Sequence, residues 1–177
     1  MESPDEELML AYGGGDAGAF DTLYARHRGG LFRFVLRAVK DRGVAEELFQ
    51  EVWVRVIESR SRYAPKARFT TWLYTIAHNL LVDHWRRKGL SLVSLDGEDA
   101  ASESANPARQ AEGRQALARL LQALEQLPPA QREAFLLHQE GGLSVAEIAV
   151  VTGAGEEAAK SRLRYAMGKL KTAVDDN

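Results

Sequence analysis

The chain has 177 residues, 23 Lys and Arg against 25 Asp and Glu, 45% apolar and 27% charged residues, and a formal net charge of −2. This is the composition of a folded globular protein of one large or two small domains, and it excludes disorder throughout. The lack of cysteine excludes disulfides, Cys-ligated zinc, iron–sulfur clusters and thiol nucleophiles, and fits a reducing compartment. The start MESPDEELML is acidic where an export signal is basic, and no apolar run approaches the roughly 20 residues of a membrane-spanning helix, so a cytoplasmic protein without membrane insertion is expected.

The near-neutral total conceals segregated charge. Residues 1–24 hold six acids and no base, 55–88 hold eight bases against Glu58 and Asp83, and 160–171 hold five bases and no acid. Such runs are often solvated helix faces, so their meaning depends on the local sequence. Apolar residues recur at three- and four-residue spacing nearly everywhere, without strand-like alternation, which predicts an all-α chain. Short helices over 5–12, 17–28 and 30–39 lead to a longer one at 43–59. There Ala45, Leu48, Phe49, Val52, Trp53, Val56 and Ile57 form one stripe, and Glu47, Gln50, Glu51 and Glu58 fall opposite.

After SRSRYAPKAR, residues 69–88 place Phe69, Trp72, Leu73, Ile76, Ala77 and Leu80 on one face of a strongly amphipathic helix. Thr71, Tyr74, Thr75, His78 and Asn79 are expected on the solvent or DNA side. Tyr63, Phe69, Trp72, Tyr74 and Trp85 lie among the bases of this block, a mixture that suits single-stranded DNA, although Phe69 and Trp72 also fit the core. Asp83 and Arg87 are four apart, so Arg87 has an intrahelical ion pair worth a few tenths of a kcal/mol as its alternative to DNA.

Residues 91–108, SLVSLDGEDAASESANPA, carry four acids and no base and read as a flexible acidic linker. It separates two small helical domains, 1–90 and 109–177. In the second, helices at 109–126 and 130–139 are divided by Pro128-Pro129, and Gly141-Gly142 ends the latter. The stretch LSVAEIAVVTGAGEEAAKSRLRYAMGKLK at 143–171 reads as a helix-turn-helix. Ser144 and Glu147 form a capping box, Ala149 is small where the helices cross, and Gly153 supplies the turn. The second helix carries Lys160, Arg162, Arg164 and Lys169 outside and Leu163, Ala166 and Leu170 inside, a pattern suited to a DNA groove.

With these motifs in view, the chain resembles the extracytoplasmic-function group of bacterial RNA polymerase sigma factors, within the sigma-70 family. The likeness to the family's region 2 is carried by AFDTLYARHRGGLFRFVLR, VAEELFQEVWVRV and RFTTWLYTIAHNLLVDHWRRK, in that order. LEQLPPAQREAFLLHQEGGLSVAEIA and KSRLRYAMGKL resemble region 4. The resemblance implies a non-catalytic transcription initiation factor with no cofactor and no catalytic or metal-binding residue. Its partners would be core RNA polymerase, promoter DNA and an anti-sigma factor. Glu46, Glu47, Gln50 and Glu51 would meet the clamp helices of the largest polymerase subunit. Arg68, Tyr74, His78, Asn79, Asp83, Arg86 and Arg87 would take the minus-ten element as melted DNA. Lys160, Ser161, Arg162 and Arg164 would read the minus-thirty-five element as duplex.

The chain departs from the family pattern at Glu157-Ala158-Ala159, where a Gly-Thr-Val run is usual, and its acidic residues 1–24 match only from about Asp16 onward. No fused sensory domain is expected after Asn177. A conventional helix-turn-helix repressor would explain 143–171 but leave helix 43–59 and the aromatic basic block without purpose. A metalloenzyme built on His78, Asp83 and His84 is disfavoured, because spacings of five and one do not place them on one helix face.

Overall fold

The computed structural model describes residues 2–89 and 112–175; the expected linker at 91–108 lies outside them. The fold is all-α, with eight helices and no strand among the described residues: α1 (Asp5–Gly13), α2 (Ala17–Val39), α3 (Arg42–Glu58), α4 (Phe69–Arg87), α5 (Glu112–Gln126), α6 (Pro129–Gln139), α7 (Val145–Thr152) and α8 (Glu156–Asp175). Local chemistry sets the starts. Asp16 accepts from the Ala19 amide at 3.3 Å and Asp41 from the Val44 amide at 3.1 Å. Each cap contributes about 1 kcal/mol.

The two helices expected at 17–28 and 30–39 are one continuous helix, α2. Gly29-Gly30 does not break it, and packing explains the glycine at position 30. A Cβ there would stand 3.0 Å from the Glu140 carbonyl oxygen and 3.4 Å from the Tyr74 hydroxyl, so glycine admits the second half of the chain against α2. The propensity loss of about 1 kcal/mol relative to alanine is offset by that close approach.

Helices α1–α4 bury Met9, Leu23, Leu31, Phe34, Val52, Phe69, Leu73 and Leu81, with Phe20, Tyr24 and Phe49 arranged around Trp53 at centroid separations of 5.0–6.3 Å. Helices α5–α8 and the turn before α7 bury Leu124, Leu137, Leu143, Ile148, Leu163 and Leu170. The halves are in direct contact, α4 against α7 and α2 against α6, and their buried residues form one continuous cluster.

Arg132 helps to join them. Its buried guanidinium donates to the carbonyls of Leu124 (3.0 Å), Glu125 (3.0 Å) and Leu127 (2.8 Å), and across the interface to that of Ala38 (3.3 Å). Burial lowers its pKa to about 10, against the opposing charge of Glu125. Lys40, in the left-handed conformation at φ 62°, closes α2 and sends its Nζ to the Glu125 carbonyl at 2.6 Å.

Candidate polymerase and nucleic-acid interfaces

On α3 the apolar stripe packs inward through Ala45, Val52, Trp53 and Val56, which leaves Glu46, Glu47, Gln50 and Glu51 exposed together. Arg42 pairs with Glu46 at 3.2 Å and Arg55 with Glu51 at 3.4 Å. These solvated i, i+4 pairs contribute only a few tenths of a kcal/mol each, so exchanging them for a partner costs little. Ile57, expected in the stripe, is 36% exposed and joins Val54 at 44%. The exposed side of α3 therefore offers apolar area as well as carboxylates.

Helix α4 has two covered faces. One is the predicted stripe. The other packs on the second half of the chain, and it takes in residues expected toward solvent: Tyr74 is 1% exposed and Thr71 is 4% exposed. The Tyr74 ring stands edge-on to Phe34, its hydroxyl donates to the Glu140 carbonyl at 3.4 Å, and burial raises its phenol well above the ordinary value. A single-stripe reading misses this, because the second face is polar in sequence and is covered only by tertiary contact.

Three carboxylates meet this region. Glu147 Oε2 accepts from Arg68 Nε at 2.8 Å and from the Thr71 hydroxyl at 2.9 Å, while Glu140 accepts from Arg33 at 2.9 Å and Glu133 bonds His78 Nδ1. Glu147 serves two sites, since its other oxygen accepts from the Ser144 amide at 3.1 Å in the expected capping box, whose return bond from the Glu147 amide to Ser144 Oγ is 3.2 Å. Partial burial opposes its ionisation. Hydrogen bonds from Ser144 and Thr71, with the Arg68 charge, outweigh that and hold the carboxyl below the usual carboxylate range. The seven-residue spacing of Glu133, Glu140 and Glu147 is visible in the sequence, but their partners are not.

Further along α4, Asn79, Asp83 and Arg86 open onto a cleft of about 450 Å³ whose far wall includes Glu133, Gly153 and Arg162. Arg87 is exposed and donates to the main-chain carbonyl of Asp83 at 3.4 Å, so the ion pair weighed as its alternative to DNA is not formed with that carboxylate. A second cavity, of about 440 Å³, lies beside the loop before α4 and is lined by Arg62, Tyr63, Lys66, Trp72 and Thr75 among others. It joins cationic side chains to Tyr63 and Trp72, whereas Phe69, Tyr74 and Trp85 of the same block are buried.

Helices α7 and α8 form the predicted helix-turn-helix. Gly153 takes the left-handed conformation at φ 72°, Ala149 faces inward, and Ala159, Leu163, Ala166 and Leu170 seat α8. Lys160 and Arg164 are exposed one turn apart, whereas Arg162 turns to the cleft beneath α4 and Ser161 is half-buried.

This geometry coincides with the sigma-70 region 2 family model over residues 23–90 and the sigma-70 region 4 model over residues 117–170. RNA polymerase sigma factor CarQ of Myxococcus xanthus is 36% identical over 95% of this chain and 96% of its own length. The ECF RNA polymerase sigma factor BldN of Streptomyces coelicolor is 32% identical over 97% of this chain and 66% of its own. Two solved structures share the fold. CnrH, in complex with the cytosolic domain of CnrY, has a TM-score of 0.70 at 24% identity over 98% of this chain and 99% of that one. RpoE of Bartonella quintana, in complex with the anti-sigma factor NepR, has a TM-score of 0.68 at 23% identity over 89% and 98%. The chain belongs to the sigma-70 family, in its extracytoplasmic-function group. Its function is promoter-directed transcription initiation by RNA polymerase.

Proposed function

We propose that residues 1–90 bind core polymerase and take the minus-ten element as melted DNA, and that residues 109–177 read the minus-thirty-five element as duplex. The protein acts in the cytoplasm and catalyses nothing itself. Glu46, Glu47, Gln50 and Glu51 meet the clamp helices of the largest polymerase subunit. Arg86 and Arg87 engage the phosphates of the opened strand, with Asn79 and Asp83 beside them. A base leaving the duplex forfeits a few kcal/mol of stacking and pairing and regains part of it in a protein pocket. The cationic and aromatic cavity beside the loop before α4 suits that role. In region 4, Lys160 and Arg164 face the groove with Ser161 at the margin, and Arg162, which lines the cleft beneath α4, meets a phosphate once α8 has left that cleft.

The observation that carries this reading is one chain that exposes Asn79, Asp83, Arg86 and Arg87 along α4 and Lys160 and Arg164 along the second helix of a capped helix-turn-helix. Arg68, Tyr74 and His78 join the minus-ten site only when α6 and α7 move away, because region 4 holds them in the arrangement described. An anti-sigma factor, such as the one bound to RpoE in its solved complex, would compete with polymerase and DNA for these faces.

The test is in vitro transcription from a promoter library with core polymerase plus this protein. A discrete set of start sites dependent on the protein is expected, and random or absent initiation would refute the proposal. Reversing Glu47 and Glu51 to Lys should weaken core association roughly tenfold with helical content unchanged, since a reversed charge at a protein interface costs on the order of a kcal/mol or more. Unaltered pull-down of core polymerase would remove α3 from that interface.

A further inference from the structure

The first helix has no part in the contacts proposed above, yet it touches both ends of the 59–68 loop that joins α3 to α4. Near the loop's start, a Cβ on Gly13 would lie 2.5 Å from the Arg60 carbonyl oxygen, so the two backbones meet only because position 13 has no side chain. The Arg60 guanidinium lies over the Tyr12 ring at 6.0 Å and donates to the Ile57 carbonyl at 2.8 Å. At the loop's end, the amide of Phe69 donates to Glu6 Oε1 at 3.4 Å. Helix α4 has no side-chain cap of its own, because Arg68 occupies the position where Ser, Thr, Asp or Asn would cap it. A carboxylate from α1, 63 residues earlier in the chain, stands in for that cap.

The helix that supplies these contacts is itself anchored. Asp5 accepts from Arg26 at 3.0 Å and bonds His27 at 2.8 Å, Met9 is fully buried, and the His27 ring stands 5.3 Å from that of Phe69. Glu6 and Gly13 are separated by seven residues, or about 10 Å along a helix. Helix α1 thus bridges the loop's two ends. Inside the loop, Tyr63 packs edge-on to Phe69 and Trp72. Its buried hydroxyl is pushed up to about 12 by burial and by the nearby charges of Glu6 and Asp5.

We infer that α1 is a positioning element of the minus-ten site, in which Glu6 and Gly13 hold the 59–68 loop and the start of α4 in the shape that captures the melted strand, without touching DNA themselves. The inference rests on the reading that this loop and α4 take the minus-ten strand. It assigns a task to the acidic N-terminal segment, whose charge alone would repel DNA.

The test uses holoenzyme assembled from core polymerase and the full chain. The probe is a labelled single-stranded oligonucleotide carrying the non-template minus-ten sequence of a promoter that the wild-type holoenzyme transcribes. Glu6→Ala should weaken capture about fivefold, the effect of losing one helix cap, while Glu6→Gln, which keeps the acceptor oxygen, should stay within about twofold. Gly13→Ala should weaken capture about tenfold, because the loop must shift to admit the methyl group. Core association and binding to a minus-thirty-five duplex should be unchanged in all three, whereas general unfolding would lower every readout together. If Gly13→Ala does not fold, the Glu6 pair decides. Wild-type capture by Glu6→Ala holoenzyme, alongside lost capture by the Arg86→Ala, Arg87→Ala double variant, would overturn the inference and leave the minus-ten reading standing. Full capture by that double variant would overturn both.

Discussion

The two helices assigned to DNA differ in how much of their polar surface is covered. Helix α8 shows Lys160 and Arg164 to solvent. The far half of α4 also shows Asn79, Arg86 and Arg87, but in its near half Tyr74 and Thr71 are buried, and His78 and the preceding Arg68 are engaged by Glu133 and Glu147 of region 4. A helix with exposed cations can meet a duplex as it stands, whereas one whose polar groups are already paired must exchange partners. The two parts of that exchange differ in cost. Arg68 is 54% exposed in its ion pair, which is therefore worth less than about 1 kcal/mol. Withdrawing a buried ring such as Tyr74 from its packing costs about 2 kcal/mol. The cover over α4 is held by packing and by the buried contact between His78 and Glu133, while the exposed Arg68–Glu147 pair adds little.

The contrast can be broken most sharply on the α8 side. Arg164→Ala or Lys160→Ala should relax base preference at one minus-thirty-five position by roughly 1–3 kcal/mol, as loss of a base contact does. Arg162→Ala, facing the α4 cleft, should weaken all sequences alike and flatten the salt dependence by about one unit of slope. Initiation on single-base promoter variants separates the two. Relaxed preference with Arg162→Ala alone would mean that α8 approaches DNA from its other side.

On the α4 side, Gly30→Leu should make the covered helix behave like the bare one. Its side chain would displace the Glu140 carbonyl and the Tyr74 hydroxyl, and overpacking of this kind costs about 1–3 kcal/mol, so binding of a minus-ten oligonucleotide without polymerase should rise roughly tenfold. Small-angle scattering should show the halves apart. Separation without improved binding would show that the cover is no barrier.

Glu147→Gln should act in the same direction but only about two- to threefold, since one partly solvated ion pair is lost while glutamine still completes the capping box. Thermal melting of the helix-turn-helix should be nearly unchanged in this variant. The smallest effect is that of pH. Because the Glu147 carboxyl is held below the usual range, its contribution is complete above the unfolded value of about 4.3 and is lost as pH falls through the lower folded one. Fluorescence transfer between the halves should fall in that acid window, and Glu147→Gln should remove that part of the dependence.

Much of this architecture was legible because it rests on local rules. The capping box at Ser144 and Glu147 needs only two residues three apart, and Gly153 is demanded by a left-handed turn in any protein. The inward faces of α3 and α8 follow from helical periodicity, so the exposure of Glu46, Glu47, Gln50, Glu51, Lys160 and Arg164 did too. Gly29-Gly30 has the local pattern of a helix break, but the constraint at Gly30 is non-local and comes from Glu140, more than a hundred residues away.

Periodicity and local motifs suffice for the all-α class, the two sigma regions with their order, and the helix faces dictated by a single apolar stripe. Tertiary structure decided how those pieces use one another. It turned Thr71 and Tyr74 from the expected solvent side into an interface, gave Glu147 a second duty at Arg68, and set Glu6 against the amide of Phe69. Helical periodicity reports which face of a helix is apolar. Polar contacts between distant segments depend on angle and distance, which no spacing along the chain encodes.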